Sequence, residues 1–111
     1  MASRFCPRYH HAVELVGKRW TGAILRAMFG GASRFGEIAA AVPDLSDRML
    51  AERLKELEAE GVVERVVHAE TPVRIEYRLT DKGRALQPVV DELAAWAERW
   101  IEDVPLATPS H

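Results

Sequence analysis

Between Ser46 and Gly61 the chain spells out a single amphipathic helix. Ser46 is a strong N-cap, because its hydroxyl oxygen can accept one of the orphan N–H groups of the first turn. Asp47 adds a negative charge at the positive end of the helix dipole. Leu50, Leu54 and Leu57 recur on one face, and Gly61 ends the run. At ~100° per residue, Arg48, Glu52, Lys55 and Ala59 fall opposite, with Ala51 beside them. Two strand patterns follow. Val62 to His68 is rich in β-branched residues, and Val73, Ile75, Tyr77 and Leu79 alternate with Arg74, Glu76 and Arg78. Ala69-Glu70-Thr71-Pro72 between them reads as a hairpin loop.

Three shorter helices are expected upstream. Residues 9–16 form one, closed by Gly17 as a C′ glycine. Trp20 to Phe29 form the second, with Trp20, Ile24, Leu25 and Met28 at helical spacing before Gly30-Gly31. Ser33-Arg34 is a connector or a strand of one or two residues, and Phe35 to Ala41 form the third helix before Pro43 and Asp44. Downstream, Thr80 caps a last helix running to about Glu102, with Leu86, Val89, Val90, Leu93, Trp96, Ala97, Trp100 and Ile101 as its apolar stripe. Pro88 marks a kink or a separate first turn, and Val104 to His111 reads as a frayed tail. Helix, helix, helix, tight turn, helix, hairpin is the winged helix–turn–helix order. The expected fold is therefore mainly α with a small β-hairpin wing (α+β), one domain over residues 1–111, its recognition helix at about 46–60 and its wing at about 62–79.

Several function classes drop out. A chain of 111 residues supports one domain. No apolar run approaches the ~20 residues needed to span a bilayer, so no membrane partner is expected. Met1 to Tyr9 has basic residues but no apolar region after them, which argues against a secretory signal. The single cysteine, Cys6, rules out an internal disulfide framework and a thiolate zinc site, and points to a reducing cytoplasm. His10-His11 is no metal site, since adjacent helical residues point apart. No Gly-rich phosphate loop, nucleophile–base pair or carboxylate cleft is present, so neither an enzyme nor a cofactor is expected.

Duplex DNA is the partner the element order points to, although the net charge of −2 argues mildly against it. Residues 1–30 carry five basic side chains against one acidic, whereas the remainder is acidic, so a positive surface must come from placement. On the exposed helix face Arg48 is the expected base reader, because a guanidinium pairs bidentately with guanine O6 and N7. Glu52, beside Ala51, can accept from a cytosine amine, and Lys55 suits a phosphate. Ser46 and the free N–H groups of the first turn also suit a phosphate. Arg74, after the wing tip, is placed to reach the backbone or minor groove, and Arg34 to hold a phosphate from the other flank. Arg78 reads rather as the exposed side of a strand. Arg53 stays open between a DNA contact and a scaffold residue tied to Glu56 or to a backbone carbonyl. The competing reading is a protein–protein module whose helix presents a solvated charged face.

The ordered set of segments resembles the HxlR-type subgroup of MarR-like winged-helix transcriptional regulators over nearly the whole chain. It comprises Cys6-Pro7, Val16-Gly17-Lys18-Arg19-Trp20, Arg34-Phe35-Gly36-Glu37-Ile38, the run Leu45 to Glu58, Gly61-Val62-Val63-Glu64-Arg65, the run Pro72 to Gly83, and Trp96. The resemblance implies a homodimer on a palindromic operator, repressing or activating a neighbouring gene, and dimerising through elements at about 5–16 and 80–102. It also implies that the Cys-Pro pair is a redox switch. The residues permit this: Pro7 suits N1, which puts Cys6 near an N-cap, where the dipole, Arg4, Arg8 and the two histidines favour a negatively charged sulfur. With no second cysteine, oxidation must join Cys6 to the partner subunit or to a small thiol. A buried, inert Cys6 is the equal alternative. A small-molecule effector is the further option, in a cleft lined by Trp20, Phe29, Trp96 and Trp100.

Overall fold

A computed structural model describes residues 5–102, so Arg4 and the Val104–His111 tail lie outside the described residues. The chain runs α1 (Pro7–Val16), α2 (Thr21–Phe29), α3 (Phe35–Ala41), α4 (Asp47–Ala59), β1 (Val63–His68), β2 (Arg74–Leu79), α5 (Asp81–Arg84) and α6 (Gln87–Trp100). This is a mainly helical domain with a two-stranded antiparallel wing.

Helix α4 forms where its local signals place it. Ser46 Oγ accepts the Met49 N–H at 3.1 Å. At the far end Gly61 adopts φ +77°, a conformation that costs glycine little. Val62 N–H then donates to the Leu57 carbonyl at 2.9 Å, and Gly61 N–H to the Glu58 carbonyl at 3.0 Å, the paired bonds of a Schellman cap. Leu50, Leu54 and Leu57 are buried, together with Ile24 and Leu25 of α2, Ile38 of α3, and Val62 and Val63. Burying such side chains contributes about 1.5–3 kcal/mol each. The opposite face of α4 is thereby turned to solvent.

The hairpin pairs Val63 with Leu79 through to His68 with Arg74. A side-chain period of two sorts its residues. Val63, Arg65 and Val67 share the inner face with Leu79, Tyr77 and Ile75, while Glu64, Val66 and His68 share the outer face with Arg78, Glu76 and Arg74. The Ser33 connector is no strand. Its carbonyl accepts one bond, from Tyr77 N–H at 2.7 Å, on the free edge of β2.

Two expectations need correction. Trp20 does not begin a helix turn; it precedes α2 with φ +76°. That left-handed conformation costs a bulky residue about 1–3 kcal/mol and persists only where neighbours over-determine it. Here Arg53 Nε donates to the Arg19 carbonyl at 2.9 Å, and Thr21 N–H closes a turn on the Lys18 carbonyl at 3.0 Å. The terminal helix is two pieces, α5 and α6, the separate first turn that Pro88 marks in the sequence. Pro88 lies in the first turn of α6, where its missing N–H is harmless; in a continuous helix it would break the ladder. In addition, Gly17 ends α1 in a right-handed conformation, φ −81°, rather than as a left-handed cap.

Segment Thr80–Gly83 fastens the end of α4. Thr80 Oγ1 accepts Gly83 N–H at 3.1 Å and donates to the Gly61 carbonyl at 2.6 Å. Lys82 Nζ donates to the Glu60 carbonyl at 2.7 Å, placing a cation at the negative end of the α4 dipole. Helix α6 packs against α2 and sends Val90 into the core. Val89, Leu93, Trp96 and Trp100 face outward, and Tyr9 and Val13 of α1 are likewise exposed, as is Phe5 just before it.

Candidate nucleic-acid interface

The outward face of α4 and the inner face of the wing enclose an open groove of about 490 Å³, lined by Arg48, Ala51, Glu52, Lys55, Glu58, Arg65 and Tyr77. Helix α4 contributes the first three, Lys55 and Glu58, because the leucine face is buried and these positions lie away from it. All five are exposed. The hairpin contributes Arg65 and Tyr77, which stand directly across from one another in register.

Charge pairing separates the basic residues into two sets. Among the described residues, Arg48, Lys55 and Arg65 form no salt bridge, and all line the groove. The arginines of the wing's outer face are engaged within the wing. Arg74 Nη2 lies 3.1 Å from Glu70 Oε2, and Nη1 3.8 Å from Glu76 Oε1. Arg78 lies 3.0 Å from Glu76, which also contacts His68 Nε2 at 2.8 Å. The His68 hydrogen bond, then that of Arg78, holds the Glu76 carboxyl below the usual range. Arg74 does the same for Glu70, and Glu70 in turn raises the Arg74 guanidinium. Both carboxylates thus stay charged and offset the two arginines.

The other residues singled out in the sequence are distributed as follows. Ser46 oxygen is occupied as the α4 cap, leaving its O–H proton to donate. Arg34 is exposed at the start of α3, where the backbone N–H groups of Ser33 and Arg34 bond Glu37 and lower its carboxyl pKa. Its neighbour Ser33 accepts the Tyr77 N–H of β2, which sets the start of α3 beside the wing. Arg53 is a scaffold residue, 9% exposed, tied both to the Arg19 carbonyl and to Glu56 at 3.2 Å.

Cys6 is the N-cap of α1 with Pro7 at N1, and it is exposed rather than buried. Besides the Arg53–Arg19 bond, two side-chain pairs join α1 and the turn after it to the end of α4: His11 Nε2 to Glu60 Oε2 at 2.7 Å, and Lys18 Nζ to Glu56 Oε2 at 3.2 Å. The four aromatics expected to share a cleft are not brought together within one chain. Trp20 lines a hollow of about 400 Å³ with Val42 and Pro43, and Phe29 another of about 290 Å³ beside Leu79. They stand at opposite ends of α2, about 13 Å apart along its axis. Trp96 and Trp100 lie on the outward side of α6, 54% and 64% exposed.

Arg65 was missed as a groove residue. One signal was available: in the period-two pattern it falls in phase with Val63 and Val67, a charge on the apolar face of its strand.

The description "HxlR-like helix-turn-helix" names the family model that matches residues 15–105. The chain belongs to that family. It is 56% identical over 100 residues to the uncharacterized HTH-type transcriptional regulator YvaP of Bacillus subtilis, covering 90% of this chain and 93% of YvaP. It is 49% identical over 102 residues to the HTH-type transcriptional regulator YodB of the same organism, covering 92% and 91%. The reduced form of YodB superposes with a TM-score of 0.79 at 48% identity, covering 92% of this chain and all of that one. The redox regulator HypR in its oxidized form superposes at 0.80 with 37% identity, covering 89% of this chain and all of HypR. YodB has also been solved diamide-treated and quinone-bound. This HxlR-like protein is accordingly a DNA-binding transcriptional regulator and not an enzyme.

Proposed function

We propose that this HxlR-like regulator binds a palindromic operator as a homodimer, with α4 in the major groove and its affinity controlled through Cys6. The observation that carries the DNA face is the convergence, on the groove between α4 and the wing, of cations that form no salt bridge among the described residues, while the outer wing is internally neutralised. Arg48, at the start of α4, reads a base, flanked by Ala51 and Glu52; Lys55, Ser46 and Arg34 take phosphates. Arg74, held by two carboxylates, is given no such role.

The dimer rests on two exposed apolar stripes. Phe5 just before α1 with Tyr9 and Val13 on it, and Val89, Leu93, Trp96 and Trp100 on α6, are each 48–72% exposed. A second copy related by a two-fold axis covers both at once and duplicates the DNA face, so the operator repeats in inverted order. A salt titration of binding to the duplex upstream of the protein's own gene tests this, with sedimentation counting the protomers. A dimer making six or more phosphate contacts loses about a thousandfold in affinity between 50 and 200 mM salt. A salt-independent affinity, or no duplex binding at 50 mM, overturns the reading.

Redox control is supported by an exposed Cys6 at the head of α1 and by the His11–Glu60 and Lys18–Glu56 contacts leading to the end of α4. The relatives solved in reduced, diamide-treated and oxidized forms support it too. Two thiols, from Cys6 of each subunit or from Cys6 and a small thiol, give up two protons and two electrons to the oxidant and join as a disulfide. No helix among the described residues is long and apolar enough to cross a membrane, and a reducing cytoplasm would keep this thiol poised. With diamide or a quinone added, the parent protein is expected to change its operator affinity while Cys6→Ser does not. Equal responses from both would remove Cys6 as the switch.

A further inference from the structure

We infer that Arg65, on the inner strand face of the wing, and not an arginine of the wing's tip or outer face, is the wing's phosphate-binding residue. The inference rests on the DNA-binding reading above and deepens it. The ridge of phosphates that separates a major from a minor groove must pass between a helix seated in the first and a wing reaching toward the second. In this chain that space is the groove between α4 and the hairpin. Arg65 stands on its wing side, exposed, backed by Tyr77 in the cross-strand position, and faces Lys55 and Arg48 on the helix side. Its guanidinium has no carboxylate partner among the described residues, so it offers a full charge and up to five donors to a phosphate.

The outer face offers no such charge. Arg74 and Arg78 share Glu70 and Glu76. Pulling either arginine toward DNA leaves a carboxylate behind to repel the same phosphate. Solvent-accessible pairs of this kind are weak, so the obstacle is the lack of net charge and not the strength of the bridge. Glu52 and Glu58 also line the groove, but they face three cations, which leaves it positive.

Parallel salt titrations of Arg65→Gln, Arg65→Lys and Arg74→Gln on the same duplex test the assignment, with thermal midpoints confirming that each variant is folded. Arg65→Gln is expected to flatten the plot of log affinity against log salt by about two in a dimer, one contact per subunit, and to weaken binding about tenfold at physiological salt. Arg65→Lys keeps most of the slope, and Arg74→Gln keeps all of it. A parental slope for folded Arg65→Gln overturns the inference, as does a flattened slope for Arg74→Gln. These results are distinguishable from failure of the underlying reading, in which the parent protein itself shows no duplex affinity.

Discussion

Arg48→Ala is expected to weaken operator binding by roughly 1–3 kcal/mol per half-site, the range for losing one bidentate arginine–guanine contact. Across two half-sites this compounds to at least about thirtyfold. The magnitude follows from where Arg48 sits. It is exposed in the first turn of α4 and carries no salt bridge among the described residues, so binding need not break a pair to free it. The buried leucines on the opposite side hold the helix to its scaffold. The diagnostic readout is specificity as well as affinity. Anisotropy against a set of single-base operator variants should show discrimination relaxing at one base pair per half-site, with other positions unchanged. A loss spread evenly over all sequences would make Arg48 a phosphate contact, and unchanged affinity would remove it from the interface.

The largest expected effect on stability comes from Gly83→Ala. A Cβ there would collide with the Val62 carbonyl oxygen and sit 3.2 Å from Leu79 Cδ2. The first of these is backbone, and it has no room to retreat. Val62 is wholly buried, and its carbonyl accepts Thr80 N–H at 3.1 Å. Moving it disturbs at once the end of α4, the start of β1 and the α5 cap. A destabilisation at or above the ~3 kcal/mol upper range for overpacking is expected, which in a domain of this size lowers the thermal midpoint by more than about 10 °C. Gly36→Ala is the control. A Cβ there meets nothing within 4 Å, so its midpoint should hold or rise slightly. If Gly83→Ala melts with the parent, the close approach to Val62 is wrong.

The recognition helix, the wing and their order were legible because the forces that specify them are short-ranged. Ser46 caps within three residues, the leucine spacing repeats every turn, Gly61 supplies a left-handed residue where the helix must stop, and the wing alternates with a period of two. None of these depends on what lies elsewhere in the chain. Trp20 was misread for the complementary reason. Its apolar spacing suits a helix, but its backbone follows a bond from Arg53 to the carbonyl before it, 34 residues distant in sequence.

Charge followed the same division. The sequence by itself determined which residues are basic and which face of each element they occupy. Only the tertiary structure decided which of them are free. Arg74 was the arginine nearest the wing tip and read as the wing's contribution, yet Glu70 and Glu76 engage it once the hairpin closes. Arg65 looked like an ordinary strand residue until the hairpin packed beside α4 and turned it into the groove. Periodicity sets a side chain's direction from its neighbours along the chain, whereas its usable charge depends on the opposite charges that folding brings within about 4 Å.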